Sequence, residues 1–386
     1  MFSTQFKYFF VLFFSLSSTP YAQNSQPANN TATFDYQIVV DAGSTGTRLH
    51  IFKIETSNTK KNLPNIEEIY FSQISTGIAS HINSQREINE HLSAIFNPTQ
   101  RYCFQTKIPC SSAPVHFLAT GGARILKPSQ QKTLFNYVQT WLEDYSMFQN
   151  IAEIRVLTGK EEAELGWLTS FENEIKHNQP FGAYFELGGA SLQYAYFLDD
   201  PKQANTHFHI GNKDIYLKTG SWLGFGLNEA TNRVIDYWHV SHAVCFPKGS
   251  NKTSSFNYSR CFSLFQNYLN VNENFTSHKV LIEKLVEKNA PIKLGAAFDY
   301  LIPSGFKVNE PGKFHDKLKS VCAMPWRQIR SDYIDLVSIH QADICAHGTY
   351  VLTLFSVLDL PKSYSNYIFN NLSWSRGVII KSWLQK

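Results

Sequence analysis

Two short stretches of this chain are built to one plan, and that repetition limits the folds open to it more than any other feature. "VVDAGSTGTRLHIF" (39–52) and "FELGGASLQYAYF" (185–197) each run an apolar strand into an acid, a spacer residue, a glycine, a small-residue turn with a hydroxyl, and a second strand. Asp41 matches Glu186, and Gly43 matches Gly188. One glycine turn alone is an ordinary structural hairpin. A matched pair, far apart in sequence, points instead to two related halves that bring their turns to one place.

Glycines in such a turn let backbone approach a ligand closely and aim successive N–H groups at it, which cradles phosphate without a charged side chain. An acid at the strand end can hold a divalent cation or its waters. Other phosphate signatures fail on residues: "GSTGTR" has no G-K-[ST] ending, and "LTGKEE" lacks the earlier glycine. Between the hairpins, "FLATGGARIL" is another strand entering a glycine turn, with Thr120, Gly121 and Arg124 suited to phosphate oxygens. "VLTGKEEAELGWLTSFE" supplies three acids. Thr158 and Glu161 have capping-box spacing. Glu164 is spaced for a solvated face. Glu162 shares a stripe with Leu165, Gly166 and Thr169, and a partly buried carboxylate at the mouth of a phosphate site is a candidate general base.

The surrounding pattern is α/β. "YQIVV", "TRLHIFKI", "EEIYFSQI", "PVHFLAT", "IAEIRVL", "GAYFEL" and "LQYAYFL" read as strands. Helices are expected near Ser84 to Phe96, from Pro128 with Leu134, Val138, Trp141 and Tyr145 on one face, and from about Thr158 to Glu172. From Gln203 to Leu372 the pattern is less regular, and "WSRGVIIKSWLQK" reads as a helix returning to the first lobe. A chain of 386 residues with 43% hydrophobic and 15% aromatic content suits two lobes and excludes wholesale disorder. We expect a first lobe from 34–163 plus 373–386 and a second from 164–372.

"MFSTQFKYFFVLFFSLSSTPYAQ" places Lys7 ahead of a short apolar stretch and small residues, the layout of a secretory signal peptide over 1–22, followed by a polar leader over 23–33. No later segment is apolar enough to cross a bilayer. Six cysteines fit an oxidising compartment, and Cys103 with Cys110, Cys245 with Cys261 and Cys322 with Cys345 form sequence-near couples, one pairing among those that six cysteines allow. Asn29, Asn251, Asn257, Asn274 and Asn371 head N-x-[ST] triplets. The formal charge of +4 comes with no Lys/Arg run, so a nucleic-acid partner is not expected.

"VVDAGSTGTRLHIF", "ATGGAR", "TGKEEAELGW" and "LGGASLQ" resemble, in order and chemistry, the apyrase regions of the ectonucleoside triphosphate diphosphohydrolases, a family with bacterial secreted members. "SWLGFGLNEA" and "LSWSRGVII" are similar to that family's pattern too. The resemblance implies an actin-like α/β fold, with two ribonuclease-H-like lobes and the nucleotide in the cleft between them. It also implies hydrolysis of the terminal phosphate of nucleoside triphosphates, and of diphosphates in many members, with a divalent cation such as Mg, Ca or Mn.

Carried onto this chain, the resemblance makes Glu162 the general base, with Ser191 and Gln193 positioning the attacking water. Asp41 and Glu186 become the acids around the metal, acting through waters. Ser44, Thr45, Gly46, Thr47, Thr120, Gly121, Arg124, Gly188, Gly189 and Ala190 line the phosphate turns. Tyr350 packs on the base, with Asp299 near it. Glu186 stands where the family usually has Asp. Two rival readings are an exopolyphosphatase, whose site uses similar glycine hairpins, and an extracellular nucleotide-binding module with little turnover. A kinase fits less well, since an exported protein meets little ATP as donor.

Overall fold

The computed structural model describes residues 33–385 apart from 57–62, 145–146, 238–241, 251–254, 335–340 and 371. The expected signal peptide, Asn29, Asn251, Asn371 and Tyr145 lie outside the described residues.

The first sheet contains β1 (Phe34–Ala42), β2 (Thr47–Glu55), β3 (Asn65–Ile74), β4 (Val115–Ala119) and β5 (Ile151–Val156), in the order β3-β2-β1-β4-β5. β1, β2 and β3 pair antiparallel, while β4 and β5 continue parallel to β1. The second sheet contains β6 (Ala183–Leu187), β7 (Ser191–Leu198), β8 (Thr206–Ile210), β9 (Lys213–Leu223), β10 (Ile292–Ala296) and β11 (Tyr367–Asn370), in the order β11-β10-β6-β7-β9-β8. β6, β7 and β9 are antiparallel and β10 and β11 run parallel to β6. The two sheets therefore share one plan, with β8 added at an edge of the second. This is the two-lobed α/β architecture expected from the matched hairpins.

Side-chain alternation on the strands sorts the core into layers. Ile38 and Val40 of β1 and Phe117 of β4 face outward, where α1 (Gln85–Thr106) and, after the single turn α2 (Gly121–Arg124), α3 (Pro128–Asp144) cover them with Leu92, Ile95, Leu134 and Val138. Val39, Phe52 and Leu118 face the other way, into a layer shared with Tyr184, Ala195 and Leu217 of the second sheet. Between the sheets lie α4 (Gly159–Ser170) and the helix Ser375–Leu384. Phe185, Leu187 and Tyr196 face the far side of the second sheet and pack with the helices Tyr258–Asn272 and Ile344–Val357. Both faces of β1 are covered, which is why it reads as a continuous apolar run and not an alternating one.

α4 is buried from Glu162 to Ser170. Leu165 and Leu168 each contribute about 1.5–3 kcal/mol by leaving water, which stabilises a helix with little contrast between its faces. The helix Ser375–Leu384 lies against it so closely that a Cβ on Gly377 would fall 2.2 Å from the Leu165 carbonyl oxygen. The expected boundary at 163/164 falls inside α4, which both sheets share.

Two local expectations need correction. Glu164 does not face solvent: it is buried, its carboxylate accepting from the Thr206 hydroxyl at 2.7 Å and from Lys381 Nζ at 2.8 Å. The part of α4 that carries Glu164 is packed between the sheets, and its charge is balanced by the half-buried Lys381, with Lys160 of the same helix 3.7 Å away. α1 does not stop near Phe96 but runs through Pro98 to Thr106, ending with Lys107 in the left-handed region at φ 60°. Three disulfides form, Cys103–Cys110, Cys245–Cys261 and Cys322–Cys345, the sequence-near pairing.

Candidate active site

The site is assembled where β1, β4 and β6 end and α4 begins. Asp41 is the penultimate residue of β1, and the turn after it leads into β2 with Asp41 opposite Arg48 and Ala42 opposite Thr47. Glu186 is the penultimate residue of β6, and its hairpin sets Glu186 opposite Gln193 on β7. The two turns touch: a Cβ on Gly189 would fall 2.4 Å from Thr45 Cγ2 and 2.7 Å from Ser44 Oγ. The third turn joins them, since a Cβ on Gly121 would fall 2.8 Å from Ser191 Oγ and 3.1 Å from the Ala190 Cβ. A side chain at either place would have to displace side chains of the facing turn, so glycine lets the turns of the two sheets come together.

The carbonyls of the second turn point away from this junction. Gly188 O accepts from Leu227 N at 2.8 Å, and Gly189 O accepts from Asn228 N and Glu229 N at 3.0 Å each, so the start of the helix Leu227–Tyr237 holds the turn from behind. In the first turn Ser44 is half-buried and Thr45 exposed, whereas Gly46 and Thr47 are buried. The Thr47 hydroxyl pairs with His91 Nε2 at 2.8 Å, so that group braces the turn from α1. Thr120 is buried as well, its N–H donating to Ala42 O at 3.2 Å.

Glu162 enters from between the sheets. Thr158 caps α4 reciprocally with Glu161, and Glu162 follows in the first turn, 5% exposed. Arg124 is the centre of the constellation. Its Nη1 donates to Leu157 O at 3.2 Å, its Nη2 donates to Ser191 Oγ at 2.8 Å, and Nη2 stands 2.8 Å from Glu162 Oε2 as an ion pair. Ser191 Oγ also accepts from Gln193 Nε2 at 2.5 Å. Gln193 Nε2 lies 3.5 Å from Ser221 Oγ on β9, and its Oε1 is buried without a hydrogen-bond partner.

Three carboxyls share this space, and all are pushed upward. Burial raises Glu162 most, Arg124 opposes it, and the charge of Asp41 adds to the rise. Burial followed by the charge of Glu162 raises Glu186, whose Oε2 accepts from the Tyr184 hydroxyl at 2.8 Å. Burial raises Asp41 against the pull of Arg48 and His50. Asp41 Oδ2 receives Arg48 Nη1 at 3.3 Å, while Oδ1 is buried with no hydrogen-bond partner.

Three carboxyls meet two guanidiniums here, and the unpaired Asp41 oxygen among them could receive a hydrated divalent cation. Among the described residues no three His, Cys, Asp or Glu side chains stand close enough to ligate one metal together.

Tyr350 and Asp299 are not brought to this junction. Tyr350 is fully buried in the second lobe's outer core, packed 5.1 Å from the Phe265 ring, with its hydroxyl donating to Phe225 O at 2.6 Å. An aromatic so enclosed has no open face for a base. Asp299 is half-buried and accepts from Ser304 Oγ at 3.3 Å. Its neighbour Tyr300 is 37% exposed and follows β10, whose Gly295 lies opposite Glu186. Sequence reasoning also passed over Arg48 and Ser221. The signal for Arg48 was its place opposite Asp41 in the quoted hairpin, and for Ser221 its place at the head of "SWLGFGLNEA".

Comparison with known proteins bears on the family and the fold. The chain is 29% identical over 215 residues to a guanosine-diphosphatase of Candida albicans, covering 52% of this chain and 35% of that protein. It is 27% identical over 242 residues to a human nucleoside diphosphate phosphatase, covering 58% and 55%. With ectonucleoside triphosphate diphosphohydrolase 1 of Rattus norvegicus it shares 24% identity over 409 residues, covering 88% and 76%. The match to the first two thus spans about a third and about half of their lengths.

Among solved structures, nucleoside triphosphate hydrolases from Neospora caninum superpose with a TM-score of 0.59 at 12% identity, covering 92% of this chain and 94% of that one. The Ppx/GppA family member of Aquifex aeolicus gives 0.55 at 13%, covering 92% and 99%. Those two share the fold. A family model matches residues 28–382, nearly the whole chain, and on that match the protein belongs to the GDA1/CD39 (nucleoside phosphatase) family.

Proposed function

We propose that this protein is an exported hydrolase that removes the terminal phosphate of nucleoside triphosphates and diphosphates with the help of a divalent cation. The observation that carries the reading is the meeting of two acid–glycine turns, one from each sheet, beside the buried Glu162 at the start of α4. Glu162 takes a proton from water as the water attacks phosphorus in line with the leaving oxygen. Burial holds the acceptor in a range where it can gain that proton at neutral pH.

Ser191 Oγ accepts from both Arg124 and Gln193, so its single O–H points onward to donate to the reacting group. The Gln193 Nε2 group is committed to Ser191, which leaves Oε1 to accept from the water. Backbone N–H groups of the three glycine turns stabilise charge on the phosphoryl oxygens. Asp41 and Glu186 would hold a divalent cation through water, which when bound adds neutralising charge there. Tyr300, exposed four residues beyond the end of β10, is better placed than Tyr350 to meet the base.

Three disulfides support an oxidising destination, and no helix among the described residues is long and apolar enough to cross a membrane.

The test is phosphate release by the purified chain from ATP, ADP and long-chain polyphosphate, each with Mg²⁺, Ca²⁺ or Mn²⁺. We expect release from the nucleotides and little from polyphosphate. Preference for polyphosphate would favour the exopolyphosphatase reading. No release under any cation would leave a nucleotide-binding module.

A further inference from the structure

The hairpins correspond at the cross-strand position as well as at the acid. Glu186 faces Gln193, a group that the proposed function gives to the attacking water, and Asp41 faces Arg48 in the same register. The pseudo-symmetry therefore delivers a side chain from β2 to the cleft as it delivers Gln193 from β7, and in the first lobe that side chain is a guanidinium. Its surroundings bear this out. Arg48 is 30% exposed with one edge on Asp41, Nη1 to Oδ2 at 3.3 Å. The group lies across the turn, because a Cβ on Gly43 would fall 3.3 Å from Nη1 and one on Gly46 would fall 3.9 Å from Nη2. A side chain at Gly43 would press on the guanidinium, whereas one at Gly46 would only touch it. Across the cleft, its charge acts on Glu186, although burial prevails there.

The other arginine is differently employed. Arg124 donates to Leu157 O and Ser191, stands as an ion pair beside Glu162 and is 13% exposed, so it is a brace for the catalytic groups. Arg48 is the more open of the two and makes one long contact through one nitrogen. A guanidinium has a planar fork of donors that matches phosphate oxygens two at a time.

We propose that Arg48 is a substrate-binding residue of the first phosphate turn, holding the nucleotide's phosphate chain through the guanidinium edge turned away from Asp41. It acts on binding, whereas its counterpart Gln193 acts on the water, so one frame divides two tasks between lobes. The inference rests on the hydrolase reading above.

The experiment uses the full chain and its Arg48→Ala and Arg48→Lys variants, with folding checked by circular dichroism. Calorimetry measures binding of the β,γ-imido analogue of ATP in Mg²⁺, and steady-state assays separate KM from kcat for ADP. Removing charge-assisted hydrogen bonds of this kind weakens binding by about 10- to 100-fold. Arg48→Ala is expected to raise Kd and KM on that scale with kcat changed by less than about threefold, and Arg48→Lys to fall between. Unchanged Kd and KM in a folded Arg48→Ala would overturn the assignment. If that variant does not fold, wild-type Kd and KM in Arg48→Lys would do so. Wild-type protein that neither binds the analogue nor releases phosphate would refute the hydrolase reading itself, whatever the variants do.

Discussion

The first and second hairpins make an instructive pair because their backbones agree and their chemistry does not. Each places an acid at the end of a central strand and a polar partner opposite it, yet the first holds Asp41 with Arg48 and the second Glu186 with Gln193. The first is fastened by side chains, through His91 on Thr47. The second is fastened by backbone, through the start of the helix Leu227–Tyr237. Register fixed where groups arrive, and composition then made the halves unequal: one rich in charge, the other in neutral donors and acceptors.

The largest test concerns the group that belongs to neither hairpin. Glu162→Gln keeps shape and removes the proton acceptor, so kcat should fall by roughly 10²-fold or more while binding of the imido analogue changes little. Near-normal turnover would return the catalytic task to the hairpins. Next is the contact between them. Gly189→Val puts a side chain where Thr45 Cγ2 already lies 2.4 Å from the Cβ position, and forcing the turns apart by about an ångström should lower kcat/KM by roughly 10- to 100-fold. Activity kept within twofold would mean that the turns need not meet.

Glu186→Asp makes the two acids alike. The carboxylate then recedes by about one bond length, so the activity order of Mg²⁺, Ca²⁺ and Mn²⁺ should change by a few-fold, as expected for a cation held through waters. An unaltered order would detach Glu186 from the cation.

A smaller contrast sets the lobes apart by pH. His91 in the first lobe and His278 in the second are both pushed down to about 4, mainly by burial. Folded protein keeps them neutral while the unfolded chain takes up protons below about pH 6.5. Stability from both is therefore complete above that value and is lost as pH falls towards about 4. Tm should drop across that window, less steeply in His278→Phe. Kinetics should respond to His91→Phe, which unties Thr47, and not to His278→Phe, whose partner is Tyr196. Equal kinetic effects would erase the contrast.

The smallest effect is entropic. Removing Cys322–Cys345, separated by 23 residues, should cost about 1 kcal/mol more in urea unfolding than removing Cys103–Cys110, separated by 7.

The hairpins could be read from sequence because acid, glycine and hydroxyl lie within a few residues of one another and the turn's chemistry is local. β10 could not. Lys293 sits in its middle and argues for exposure, yet it is 5% exposed, bonded to Ser170 O and Glu174 and placed over the Phe171 ring. Partners more than a hundred residues away decide its fate. Glu164 misled for the same reason, since its lysine arrives from the helix Ser375–Leu384. The contact of Gly189 with Thr45 was legible as a hypothesis only through the repeat. Nothing in "CAHGTY" distinguishes an aromatic that meets a ligand from Tyr350, which fills a core.

The helix Ser375–Leu384 comes last among the described elements, yet Val378 and Ile379 sit in the innermost layer alongside Val39 of the very first strand. A chain emerging in order from a ribosome or a translocation channel would therefore carry an open seam between its two sheets until this helix had been delivered. Packing between the sheets would wait on that helix, with the helix that carries Glu162 exposed along one side in the meantime.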